Sequence, residues 1–458
     1  MRFPPSCGLL LLLALPAAAQ PGDPAAATVN RFYAEALTHG TAHARLRELT
    51  TRYPGRLSGS PALAGAIDWA KLQLAGLGLD RVYTQEVMVP HWERGAPETV
   101  TLLAADGPVP LAAAALGNSG ATPPGGLTAE VIEVHSVAEV AQLGTAQVAG
   151  RIVFYNRPMD PTLARTEDAY STAADQRTQG PSAAARLGAV AVLVRSLTLA
   201  HDDFPHAGNS TYVPDYPRIP AVALGILSAE RLAAALAAHP HTRVSLQVSA
   251  RTLPPAPSQN VIGEIRGREF PDQVILVGGH LDSWDITPGA HDDGAGVVQS
   301  MEVLRLFRAL GLHPRHTLRC VLFTNEENGT AGSTAYASLA KDAHEKHVFA
   351  VETDNGGFQP RGFNLGSTQG NAHERAARWR PLFEPYGILS FVKGQGGTDV
   401  NPLLVQGCTV AGLTPDSQRY FDIHHTTADS LDKVNPRELH LGAASLAALI
   451  WLVDTQGL

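Results

Sequence analysis

Apolar and polar positions along this chain follow two rhythms. Between residues 28 and 49, Phe32, Ala36, Leu46 and Leu49 recur at helical spacing with polar residues between them, which predicts a helix. Arg56-Leu57-Ser58-Gly59-Ser60-Pro61 reads as a turn in which Ser60 caps and Pro61 opens a second helix, ending near Leu77. Residues 81–89 (RVYTQEVMV) read as a strand. From Asn260 onward, short apolar runs alternate with helical patterns. VILVGG, TLRCVLFTN, HVFAVETD and CTVAGLTP predict strands, while residues 296–310, 332–341 and 371–385 predict helices, with a final helix from about Pro436 to Thr455. This alternation predicts an α/β fold, with a central sheet covered by helices on both faces. In such sheets ligands bind outside the carboxyl ends of the strands.

The middle of the chain has a different pattern. Residues 105–125 shift to Ala, Gly and Pro with few charges. Short strands follow (AEVIEV, GRIVFYN, AVAVLVRS, AVALG), then Leu253-Pro254-Pro255-Ala256-Pro257, which reads as a stiff linker. Residues 110–254 therefore read as a domain inserted into a host built from residues 20–109 and 255–458.

The first residues read as an export leader, residues 1–19. Arg2 supplies a positive start, Leu9 to Leu15 an apolar stretch, and Ala17-Ala18-Ala19 a cleavage site before Gln20. No Cys follows, so no lipid anchor is expected, and no later segment reads as membrane-spanning. The expected location is the periplasm or the exterior. With 458 residues the chain exceeds what one core usually needs, and its net charge of −8 argues against nucleic acid as a partner. Cys320 sits in an apolar run and reads as a buried thiol; a bridge to Cys408 stays open.

Composition leaves the chemistry to a few side chains. His280 and Asp282 close the first strand of the alternating region, with Asp282 able to accept a hydrogen bond from the imidazole nitrogen turned away from a metal. Asp292 opens the following helix in Asp292-Asp293-Gly294. Glu326 and Glu327 stand side by side after the next strand, costly to place together without a cation. One can bind metal while the other moves protons. Asp354 ends the strand HVFAVETD, and His425 follows the last one. His280, Asp292, Glu327, Asp354 and His425 make five ligands, the number for two zinc ions that share one carboxylate. Manganese or cobalt also suits such a donor set. His201, Asp202, Asp203 and His206 read instead as a solvated loop, His344 and His347 lack the Glu of an HExxH motif, and no G-x-S-x-G is present.

GGHLDSWD, GAHDDGAG, TNEENGTAGS, ETD and FDIHHTTAD resemble the motifs of the co-catalytic di-zinc exopeptidases, the family of bacterial leucyl aminopeptidases and glutamate carboxypeptidases. The likeness is closest to the plasma glutamate carboxypeptidase branch and extends to RLSGS, RIVFYNRP, RTQG and GQGGTDVN, covering nearly all of the mature chain. It implies the di-zinc peptidase fold, with a mostly parallel, mixed central sheet. It implies that the insert is a β-rich protease-associated domain and that two zinc ions are bound per chain. It further implies that Asp292 bridges the metals, that His280 and Asp354 complete one and Glu327 and His425 the other, and that Glu326 is the general base. His425 is chosen over His424 because the family pattern has His-Thr-Thr-x-Asp, with Asp429 bracing that loop. A cis Asp292–Asp293 bond is also implied. The substrate is then a peptide, and members of the family often form homodimers.

Substrate contacts are less defined. Asp399 reads as a partner for a free amino group or a support behind the ligands, Tyr420 as a donor to the developing oxyanion, and Arg177 or Arg195 as a contact for a substrate carboxylate. Carboxypeptidase, dipeptidase and aminopeptidase action all stay open. So do a non-catalytic receptor ectodomain and a single-zinc acyl-transfer enzyme on a related fold.

Overall fold

The computed structural model describes residues 23–458, so the expected leader lies outside the described residues. The helix expected over 28–49 is two helices. Pro24–His39 begins where the Asp23 carboxylate accepts from the Ala25 N–H, and Ala42–Arg52 follows a break at Gly40. A β-carbon at Gly40 would lie 2.2 Å from the Ala36 carbonyl oxygen, so the break requires glycine. Ser60 and Pro61 act as read: Ser60 Oγ accepts from the Leu63 N–H and opens Pro61–Ala75.

Among the described residues, eight strands form the main sheet. Their order is Arg81–Glu93, Arg251–Ile265, His316–Phe323, Phe270–His280, Lys346–Glu352, Thr409–Pro415, Pro360–Gly366 and Ser390–Lys393. The four central strands, from His316–Phe323 to Thr409–Pro415, run parallel. Antiparallel pairs flank them. Both faces are covered. Ile275 and Val277 pack with the helices Ala295–Ala309 and Pro436–Gln456, while Val274 and Leu276 pack with Tyr336 and Leu403 on the other face. That is why these strands read as unbroken apolar runs.

Four expectations are corrected. The Pro-rich segment at 253–257 is part of the strand Arg251–Ile265, not a linker. It pairs there only with Arg81–Glu93, because the partner on its other side joins at Val261. Proline's missing donor is tolerated on such a one-sided stretch. The helix expected over 371–385 is three short turns, Ala372–Ala377, Arg380–Phe383 and Glu384–Tyr386, interrupted by Pro381 and Pro385. The strand Lys346–Glu352 stops two residues before Asp354. Finally, Pro436–Gln456 is long and apolar enough to cross a membrane, against expectation, but 78% of its apolar window is buried inside the molecule, as in a core helix.

A second sheet runs from Thr99 to Gln247. Its order is Gly107–Leu111, Thr99–Ala104, Arg243–Gln247, Leu127–Val134, Ile152–Tyr155, Ala191–Arg195, Ala221–Leu224 and Ala113–Ala115. Its parallel centre is packed against Ile226–Ala238 on one face and Gly180–Arg186 on the other. Cys320 and Cys408 are buried and unbridged.

Candidate metal centre

Loops leaving the carboxyl ends of the four central parallel strands converge. His280 is the last residue of Phe270–His280, and Glu326 and Glu327 follow His316–Phe323. Asp354 follows Lys346–Glu352, and His425 comes after Thr409–Pro415 and the short helix Tyr420–Ile423. Asp292 lies in the turn Ala290–Gly294, just before the helix Ala295–Ala309, and its bond to Asp293 is cis.

Asp292 sits at the centre. His280 Nε2 is 3.3 Å from Asp292 Oδ1 and 3.4 Å from Asp354 Oδ1. His425 Nε2 is 3.1 Å from Asp292 Oδ2 and 3.1 Å from Glu327 Oε2. Each Asp292 oxygen thus faces one imidazole and one further carboxylate. Asp292 Oδ2 and Glu327 Oε1 are buried without a hydrogen-bond partner, which is costly unless a cation takes their lone pairs. Neutral imidazoles and carboxylates without thiolates are a donor set that zinc accepts.

The charges follow from this crowding. Burial opposes a charge on His280, yet Asp354 and Asp292 hold it well above the usual imidazole range. His425 is also buried, and Glu327 and Asp292 lift it to about 10. Burial and the Asp292 charge push Glu327 up to about 7. Burial raises Asp354 as well. The surplus carboxylate charge that holds protons on these two imidazoles is charge that a bound cation would neutralise in their place, displacing the protons.

Buried hydrogen bonds set the frame. Asp293 Oδ2 accepts from the His280 N–H at 3.0 Å and Asp293 Oδ1 from the Gly296 N–H at 2.9 Å. Asp429 accepts from the N–H groups of His291 and Asp292 at 2.7 and 3.1 Å, so it braces the Asp292 turn from across the site. Asp282 does not accept from His280 through its carboxylate. His280 Nδ1 meets the Asp282 carbonyl at 3.1 Å, and the Asp282 carboxylate accepts from the N–H groups of Glu326 and Glu327 at 3.1 and 3.3 Å. Fully buried Arg56 donates to the carbonyls of Leu281, Pro288 and Gly289, tying down the loop between His280 and Asp292. Sequence reasoning missed both: Asp293 was read only as the neighbour of Asp292, and Arg56 acts through long-range hydrogen bonds, which leave no local pattern.

Gly296 permits this packing. A β-carbon there would lie 1.9 Å from the Thr353 carbonyl and 2.4 Å from Asp293 Oδ1. Gly296→Ala is expected to destabilise the protein by about 1–3 kcal/mol through overpacking. A urea midpoint equal to that of the parent would show that the neighbours yield freely.

The remaining predicted residues divide. Glu326 is half-buried beside the ligands, and burial, together with Asp354, Asp399 and Glu327, raises its carboxyl well above the usual range. Tyr420 packs against His424 with ring centroids 5.0 Å apart. Asp399 is only 1% exposed and sits behind the cleft, its N–H donating to Glu352 Oε2 at 2.8 Å. His424, set aside in favour of His425, also reaches the site: its Nε2 is 3.5 Å from Asp292 Oδ2 and its ring stacks on His425 at 3.5 Å. Of the residues read as a solvated loop, His201 pairs with Glu230 and Asp203 holds Ser228 at the start of Ile226–Ala238, but His206 is buried, only 2% exposed. Arg177, read as a contact for a substrate carboxylate, is 7% exposed. Arg195 pairs with Glu230.

Beside Asp354 a cavity of about 450 Å³ is lined by Asn355, Gln395, Gly396, Gly397 and Thr398. It continues past Asn355 and Gln395 into a groove of about 1080 Å³ whose lining includes Arg165, Asp168, Arg361 and Lys393.

The pattern of peptidase family M28 matches residues 260–450, the stretch that holds all six of these candidate ligand and base positions. Carboxypeptidase Q of Bos taurus is 36% identical over 433 residues, 94% of this chain and 89% of that protein. The chain belongs to peptidase family M28. Carboxypeptidase Q of Xenopus laevis is 36% identical over 91% of this M28 chain and 87% of its own. The crystal structure of a peptidase M28 precursor from Shewanella amazonensis superposes with a TM-score of 0.90 at 32% identity, covering 95% of this chain and 97% of that one. A zinc aminopeptidase from Bacillus subtilis shares the fold, with a TM-score of 0.65 at 20% identity, covering 91% and 95%. As an M28 member the protein is a metallo-exopeptidase.

Proposed function

We propose that this M28 peptidase is a two-zinc exopeptidase acting on dipeptides or short peptides, directed by the carboxyl end of the substrate, with Glu326 as general base. The observation that carries the reading is the division of Asp292: one oxygen faces His280 and Asp354, the other His425 and Glu327. His280, Asp354 and Asp292 would hold one zinc, and His425, Glu327 and Asp292 the other. Bound there, the zinc pair supplies an acidified water and polarisation of the scissile carbonyl.

The chain's own groups do the rest. Glu326 takes a proton from the attacking water on its carboxylate and returns it to the leaving amine. The Tyr420 hydroxyl donates to the oxyanion. Burial and the Asp292 and Asp354 charges keep that hydroxyl protonated, as a donor must be. The second sheet is the inserted protease-associated domain and closes one side of the cleft. Export to the periplasm or the exterior follows from the leader sequence at residues 1–19.

Arg177 supports action from the carboxyl end. It makes no ion pair among the described residues, its Nε lacks a partner, and its Nη2 donates to the Tyr170 hydroxyl at 2.6 Å. Tyr170 in turn meets the His424 ring edge-on at 5.4 Å. A buried guanidinium without a carboxylate, one side chain from the centre, suits a substrate carboxylate. The carboxypeptidase Q relatives point the same way. A panel of dipeptides with amino-blocked and carboxyl-blocked derivatives tests it. Cleavage should survive an amino block, or fail with either block if the enzyme is a strict dipeptidase. Cleavage of carboxyl-blocked but not amino-blocked substrates would replace this reading with aminopeptidase action.

A further inference from the structure

The two histidines at the centre are oriented from different places. A histidine that offers one ring nitrogen to a metal is fixed by what its other N–H meets. For His280 that partner is the Asp282 carbonyl, two residues away in the same loop. For His425 it is the main-chain oxygen of Ala207, 3.2 Å from Nδ1 and 218 residues earlier in the chain. Ala207 belongs to the second sheet, in the loop between Ala191–Arg195 and Ala221–Leu224. The contact is reciprocal, since the Ala207 N–H donates to the His425 carbonyl at 3.0 Å. A carbonyl oxygen can only accept, so Nδ1 carries the proton and Nε2 is left as the coordinating atom.

The clamp is itself held. Ala207 is fully buried, the His206 N–H donates to Ser196 Oγ at 2.9 Å, and the Gly117 N–H donates to the Gly208 carbonyl at 2.9 Å. Gly208 takes φ +133°, and a β-carbon there would meet Arg177 Nη1 at 2.5 Å. On the other side, His425 is in the left-handed region at φ 62°, a conformation that persists only where the surroundings enforce it.

From these contacts we infer that the second sheet is a working part of one half of the metal centre: the Ala207 main chain is the positioning group for His425, while His280 is oriented from within its own loop by the Asp282 carbonyl. The inference rests on the two-zinc reading above. It makes the centre asymmetric in which groups orient its two histidines.

The test changes one carbonyl and no side chain. Glycolic acid at position 208, introduced by a suppressor tRNA charged with the hydroxy acid, converts the Ala207–Gly208 amide to an ester and weakens the Ala207 carbonyl as an acceptor. The Gly208 N–H that it removes donates to nothing among the described residues. Zinc affinity is then measured by competition with a chelator, on the metal-free protein and without substrate. One of two zinc equivalents should bind about 10-fold more weakly, with the other unchanged. Gly208→Ala should give the same one-sided loss. Two unchanged affinities, or two equal losses, would overturn the inference. Unaltered protein holding fewer than two equivalents would sink the two-zinc reading itself, and the clamp with it.

Discussion

Glu326→Gln is expected to lower turnover by about 10²–10⁴-fold and leave the zinc content unchanged. The amide keeps the shape of the carboxyl but cannot accept and return a proton. Glu326 forms no ion pair with either histidine, whereas its neighbour Glu327 lies 3.1 Å from His425 Nε2. The two adjacent acids are sorted by the main chain, because Asp282 accepts from both of their N–H groups and fixes the turn that carries them. Steady-state rates with metal analysis on the same sample decide the point. Near-parent activity would remove Glu326 from the base role, and a fall in zinc would make it a ligand.

Asp292→Ala is expected to release both zinc equivalents, where Asp354→Ala or Glu327→Ala should weaken chiefly one. Asp292 is the only carboxylate among the described ligand candidates that approaches both His280 and His425 within 3.5 Å. Its loss also leaves two buried imidazoles facing each other without the anion between them, a cost beyond the lost coordination. Elemental analysis after desalting reads the outcome. A variant that kept one tight equivalent would give Asp292 a terminal role and another residue the bridge.

Much of this centre was legible in the sequence because its parts are local. Each strand, loop and helix start carries its own ligand, and the apolar runs that mark the central strands also mark where their carboxyl ends fall. His280, Asp292, Glu327, Asp354 and His425 were placed that way, and the structure brings all five together. What was not legible depends on distance. Asp429 was read as bracing its own loop, yet it holds the Asp292 N–H from 137 residues away, and Arg56 reaches the Leu281 carbonyl across 225. Proline misled at 253–257 because its preference for loops is overridden where a strand pairs on one side only. The burial of Arg177 and the approach of His424 to Asp292 were not legible either, because both depend on residues distant in the chain.

Anomalous diffraction at the zinc edge, on crystals grown with zinc, tests the central claim most directly. Two peaks are predicted, one on each side of the Asp292 carboxylate, the first beside His280 and Asp354 and the second beside His425 and Glu327. A single peak, or a second one away from His425 and Glu327, would contradict it.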